Sequence, residues 1–155
     1  MMHVKLSDLL REDLITLHLK AKSSFDAIRQ TISPLRYDKR VLDFEKFEAE
    51  VLHRETIEST CLGGGVALPH ARIDVLSDIV LAVGISSEGV FFENGNQTVH
   101  IIFVIGTPKR LAAEYLRTVG AISRLVKDAQ FRETLLASQS PRDFLTKIVN
   151  KECPN

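Results

Sequence analysis

Three strand-like apolar runs, set among segments of helical periodicity, predict an α/β sandwich for this chain. Residues 14–19 alternate in period two, as a half-buried strand does, while 78–85 and 99–106 are nearly continuous in apolar side chains. A continuous run of that kind implies burial on both faces. Composition agrees: 45% apolar and 26% charged residues is globular, and 155 residues suit one domain able to bury a real core. We therefore expect a single domain over residues 1–155, its core running from about 4 to 150.

Each element has its own signal. Leu6 to Leu10 read as a single capped helical turn, and the strand 14–19 follows with His18 on its more polar face, without function. Ser23 or Ser24 caps a helix in which Phe25, Ile28 and Ile32 share a face, closing near Pro34. Asp43 begins the next helix, where Phe44, Phe47, Val51 and Leu52 recur at helical spacing. Arg54 falls near its C-terminal end, where the helix dipole favours a cation. His53 beside it points to another face and reads as structural.

After the second strand, Ser86, Ser87, Glu88 and Gly89 are expected to turn the chain. Val90, Phe91 and Phe92 then form a short extended piece, and Asn94-Gly95 is a tight-turn dipeptide before the strand 99–106. Leu111, Tyr115, Val119, Ile122 and Val126 mark one face of a long helix that begins soon after Pro108. A second helix runs through Phe131 and Leu135, and Ser140-Pro141 opens a third with an N-cap and an N1 proline.

The bulk numbers exclude several functions. Twenty basic and twenty acidic residues cancel, so no global field favours nucleic acid or a membrane surface. Cys61 and Cys153 stand far apart with no paired spacing, against a disulfide framework or a zinc site. No apolar run reaches the length of a membrane span, and the N-terminal residues lack a signal-peptide core, so a cytoplasmic protein is expected. No phosphate-binding P-loop motif is present, and the residues call for neither metal nor nucleotide cofactor.

Function concentrates in residues 54–70. Gly63, Gly64 and Gly65 can take positive φ, approach a ligand closely and turn their N–H groups toward an anion. Val66, Ala67 and Leu68 make a short buried strand, which Pro69 stops, so that His70 is presented from a stiff position. A neutral imidazole is a nucleophile near pH 7. Were it to accept a phosphoryl group, the equatorial oxygens would need donors and fixed positive charge. Arg54 can supply the charge bidentately, and Ser59, Thr60 and the glycine N–H groups are candidate donors. A general acid-base or metal enzyme built on His70 is a competing reading, with no second histidine at ligand spacing to support it.

The order Arg54-Glu55, Ser59-Thr60, Gly63, Gly65, Val66-Ala67-Leu68, Pro69-His70 resembles the active-site signature of a known family. It is that of the enzyme IIA domains, fructose/mannitol class, of the phosphoenolpyruvate-dependent sugar phosphotransferase system, to which nitrogen-regulatory IIA proteins are related. The resemblance implies a mixed central sheet flanked by helices, with His70 as phosphoryl acceptor and Arg54 as its support. It implies a phosphohistidine carrier protein as donor, and as acceptor a cysteine on a IIB domain; a free-standing chain would fit the regulatory branch, with target proteins as partners, at least as well. Many relatives carry a second histidine where this chain has Tyr115, whose phenol could donate to phosphate or to His70. His100 is the other candidate to replace that imidazole. Cys61 stands where glycine is usual, either as a small packed hydrophobe or as a redox-sensitive thiol.

Overall fold

The computed structural model describes residues 4–153; the outermost residues of the expected domain, 1–3 and 154–155, lie outside the described residues. Its strands are β1 (Ile15–Thr16), β2 (Cys61–Gly63), β3 (Val66–Ala67), β4 (His70–Arg72), β5 (Val80–Phe92) and β6 (Gln97–Thr107). Its α-helices are α1 (Leu6–Leu9), α2 (Ser24–Ile32), α3 (Phe44–Ile57), α4 (Ala112–Val126), α5 (Ala129–Leu136) and α6 (Pro141–Glu152). One sheet runs in the order β1-β5-β6-β3-β2, and β4 also pairs with β6. The sheet is mixed: β1 is parallel to β5, and β3 and β4 are parallel to β6, while β5–β6 and β2–β3 are antiparallel.

Period-two alternation along the two long strands divides the interior into two cores. Leu81, Val83, Phe103 and Ile105 face one way and pack with Ile122, Phe131, Phe144 and Ile148 of α4, α5 and α6. Ala82, Ile102 and Val104 face the other way, against Ile28 and Ile32 of α2 and Phe47 and Val51 of α3. Full burial of each such side chain contributes about 1.5–3 kcal/mol, so the helices are held by their apolar stripes more than by local propensity. This is the expected sandwich. Among the described residues no helix is long and apolar enough to cross a membrane.

Side-chain caps fix most helix starts. Ser23, Asp43, Asp128 and Ser140 each accept a hydrogen bond from a first-turn N–H of the helix they precede. The first turn differs from expectation, because α1 has no side-chain cap of its own. The Glu152 carboxylate accepts from Leu6 N at 2.6 Å and Ser7 N at 3.1 Å, so the end of α6 caps the start of α1.

Two further expectations are corrected. The first strand is only two residues long, because His18 adopts a left-handed φ of 64° and breaks the extended run. Residues 86–89 do not turn the chain out of the sheet. β5 continues through them to Phe92 as a bulge, with Gly89 at φ 88° and its N–H donating to Ser86 Oγ. The hairpin turn falls at Glu93–Gly95, where the Asn94-Gly95 dipeptide was expected to turn the chain, so no helix separates the two central strands.

The edge of the sheet positions the site. β3 and β4 form one interrupted strand beside β6, broken at Leu68-Pro69, where Ile105 N still donates to Pro69 O. β2 pairs only with β3, so among the described strands nothing flanks the outer side of β4. Helix α3 lies close over the sheet because Gly106 leaves room for Phe47: a Cβ at Gly106 would stand 2.5 Å from that ring.

Candidate active site

His70 opens β4 directly after the proline and is half-buried. Its Nδ1 lies 3.1 Å from the Leu68 carbonyl oxygen. A carbonyl can only accept, so Nδ1 carries the proton and the neutral ring presents an unprotonated Nε2. Burial pushes the imidazole pKa below its ordinary 6.5; the Leu68 carbonyl opposes that shift, the Arg54 charge adds to it, and Glu58 opposes it. The result is a neutral imidazole with a fixed tautomer.

Tyr115, on the first turns of α4, stands with its ring centroid 5.5 Å from that of His70, tilted by 45°. Burial raises its phenol pKa, while the nearby charges of Arg54 and Arg72 pull it down. The Arg72 guanidinium carbon sits 5.8 Å from the Tyr115 centroid. Beside these groups, Glu50, Arg54, Arg72 and Lys109 line a cleft of about 290 Å³. Glu50 and Arg54 are one helical turn apart on α3, and Arg72 follows His70 by two residues on β4, hence on the same face.

The structure thus brings together His70, Arg54 and Tyr115. The Ser59 and Thr60 hydroxyls are engaged by other partners, although Thr60 O accepts from Leu68 N beside the site. Thr60 Oγ1 donates to the buried carboxyl of Glu55 at 2.6 Å, and Ser59 Oγ accepts from Cys61 N at 3.2 Å. Asn94 Nδ2 donates to the Glu55 carbonyl. These bonds fasten the end of α3 to β2, so both hydroxyls serve the joint that holds Arg54 in place.

Gly63, Gly64 and Gly65, at φ 90°, 63° and 80°, make the hairpin between β2 and β3. Gly64 packs against the Arg132 guanidinium, where a Cβ would come within 2.5 Å. The register sets Val66 against Ile101 and His70 against Ile105, four residues along β6 and about 14 Å away. The glycine N–H groups therefore do not cradle a ligand at His70; Gly64 and Gly65 give the two left-handed residues of a two-residue hairpin loop, and Gly63 sits at the irregularity in β2. His100 is likewise about 17 Å from the His70 rung, with its Nδ1 3.0 Å from Ser86 O, and it does not replace an imidazole there. Tyr115 has no hydrogen bond to His70 among the described residues, so its ring rather than its hydroxyl meets the site. Cys61 is partly buried and burial raises its thiol pKa, opposite to the shift that activates a thiolate, which favours the packing role.

Sequence reasoning missed Arg72. The signal was available: in a strand that presents His70, the residue two places on shares its face.

A neutral, tautomer-fixed histidine thus stands on a mixed α/β sandwich beside guanidinium groups that have no acidic partner among the described residues. Residues 8–151 match the family model described as phosphoenolpyruvate-dependent sugar phosphotransferase system, EIIA 2, and the chain belongs to that family. It is 27% identical over 149 residues to the PTS system fructose-specific EIIABC component of Bacillus subtilis, an alignment covering 96% of this chain and 23% of that protein. The chain thus spans about a quarter of the length of that relative. It is 27% identical over 135 residues to a nitrogen regulatory protein of Bradyrhizobium diazoefficiens, covering 86% of this chain and 88% of the other. The fold superposes on the crystal structure of nitrogen regulatory protein IIA-Ntr from Neisseria meningitidis with a TM-score of 0.84 at 22% identity, covering 92% of this chain and 98% of that one.

Proposed function

We propose that His70 Nε2 accepts a phosphoryl group from the phosphohistidine of a small carrier protein and passes it to a cysteine of a IIB component. The hydrogen bond from Nδ1 to Leu68 O carries this reading, since it leaves Nε2 as the free nucleophile. In the transfer, the Nε2 lone pair forms the new N–P bond as the donor's N–P bond breaks, and the bonding pair leaves with the donor imidazole. The proton stays on His70 Nδ1, donated to Leu68 O, throughout. Arg54 meets charge that develops on the equatorial oxygens. Such a relay runs where phosphoenolpyruvate is made, so the reading puts the chain in the cytoplasm.

The experiment is a phosphorelay with phosphoenolpyruvate, enzyme I and the carrier protein, read by intact mass. Wild type should gain one acid-labile phosphoryl group and His70→Ala none. Equal labelling of the two would remove His70 from the chemistry.

A second reading, regulation in place of transport, is favoured by the nitrogen regulatory relative, which this chain matches over nearly its whole length. There the phosphoryl state of His70 would change which target protein binds. Transfer from phosphorylated chain to a sugar IIB component supports the transport reading; a target that binds only one phosphoryl state, with no such transfer, supports regulation.

A further inference from the structure

We propose that Arg72 is a second phosphoryl-binding group of this site, clamping the phosphoryl group on His70 Nε2 together with Arg54, with Tyr115 as the platform that orients it. The inference rests on the phosphoryl-acceptor reading of His70.

Three cationic side chains, Arg54, Arg72 and Lys109, gather around one small cleft that holds a single carboxylate, Glu50. Like charges repel, and exposed arginines are usually drawn to carboxylates or spread into solvent. Among the described residues neither Arg54 nor Arg72 has an acidic group within ion-pair distance, a state they share with most arginines of the chain; what sets them apart is that they converge with Lys109 on one cleft. Arg72 makes one long hydrogen bond, from Nη2 to Lys109 O at 3.4 Å. Most of its five donors therefore remain for an anion. A guanidinium presents them as a planar fork that matches phosphate oxygens.

Its placement is built rather than incidental. β4 sets Arg72 on the face of His70, and α4 brings the Tyr115 ring within 5.5 Å of the imidazole and 5.8 Å of the guanidinium carbon. A cation over an aromatic face is held with about 0.5–1 kcal/mol at exposed sites, enough to bias a flexible arginine toward one orientation. Arg54 approaches from α3, across the open edge of β4. The two guanidinium groups thus arrive from different elements, as a clamp on three equatorial oxygens needs. Neither gains nor loses a proton in the transfer.

The test compares phosphorylation of wild type, Arg72→Gln and Arg72→Lys by two donors: the phosphorylated carrier protein, and phosphoramidate, which has no protein surface to dock. The clamp predicts that Arg72→Gln slows labelling roughly tenfold to a hundredfold with both donors. It also predicts that the thermal midpoint is unchanged, that Arg72→Lys recovers part of the rate, and that the ³¹P shift of the phosphohistidine moves. Tyr115→Leu should slow labelling more than Tyr115→Phe, which keeps the ring. Wild-type labelling of Arg72→Gln by phosphoramidate, with a loss only for the protein donor, would make Arg72 a docking cation and overturn the proposal. Failure of wild type itself to be labelled by either donor would overturn the His70 reading, and the clamp with it.

Discussion

Leu68 O and His70 Nδ1 are 3.1 Å apart, a contact between residues on either side of Pro69. It fixes the tautomer, and burial keeps the ring neutral below its ordinary pKa of 6.5. Acceptance of a phosphoryl group should be flat with pH above about 6.5 and fall only as pH drops through the lowered value. Because the folded pKa is depressed, the linked stability is present above the unfolded value and is lost as pH falls through the folded one. Histidine resonances followed by NMR through the same pH range check both statements. A His70 midpoint above 6.5 contradicts them.

Glu55 behaves in the opposite sense. The residue is 2% exposed and burial raises its carboxyl pKa above 4.5, with the Thr60 hydrogen bonds pulling back. A raised carboxyl stabilises the fold fully below the unfolded pKa, and that contribution is lost as pH rises through the folded one. Glu55→Gln keeps an acceptor for Thr60 and abolishes the titration. Thermal midpoints from about pH 4 to about pH 7 should therefore shift in favour of the variant as pH rises. Parallel curves for the two proteins would rule this out.

Gly64→Ala separates the hairpin from the chemistry. The substitution forces a Cβ into φ 63° and against Arg132, whose Nη1 holds Val126 O at the end of α4 at 2.6 Å. A cost of about 1–2 kcal/mol is expected in denaturant unfolding. Labelling of His70 should stay at the wild-type rate while the protein is folded. A large rate loss at unchanged stability would return the glycines to the site.

Thr107, at the end of β6 and paired in register with Arg72, is fully buried, and its hydroxyl has no partner among the described residues. Thr107→Val removes an unsatisfied polar atom, so we expect a gain of about 1 kcal/mol in denaturant unfolding. A loss of that size would mean that the hydroxyl is satisfied by ordered water.

The sequence exposed the helices and the two long strands because their apolar spacing is set by burial, which period reads directly. It did not expose the bulge at residues 86–89, since Ser-Ser-Glu-Gly is composed like a turn and only pairing with β6 keeps it in the sheet. The two-residue β1 was overread because alternation continues past His18, where the backbone changes hand. For the site, His70 and Arg54 were legible from the local pattern and the family resemblance. The hydroxyls and glycines were drawn in by nearness in sequence, whereas the strand register separates the glycines from His70 and Glu55 occupies Thr60. Arg72 was legible in principle from its position two residues after His70; its partnership with Tyr115 depends on how α4 packs on the sheet, which local pattern does not reveal.

The central claim is that Nε2 of His70 takes the phosphoryl group. Protein labelled with ¹⁵N-histidine and phosphorylated through the relay, examined by long-range ¹H–¹⁵N and ³¹P NMR, tests it most directly. One phosphohistidine is expected, at His70, with phosphorus on Nε2 and the proton retained on Nδ1. Phosphorus on Nδ1, or on any other histidine, would contradict it.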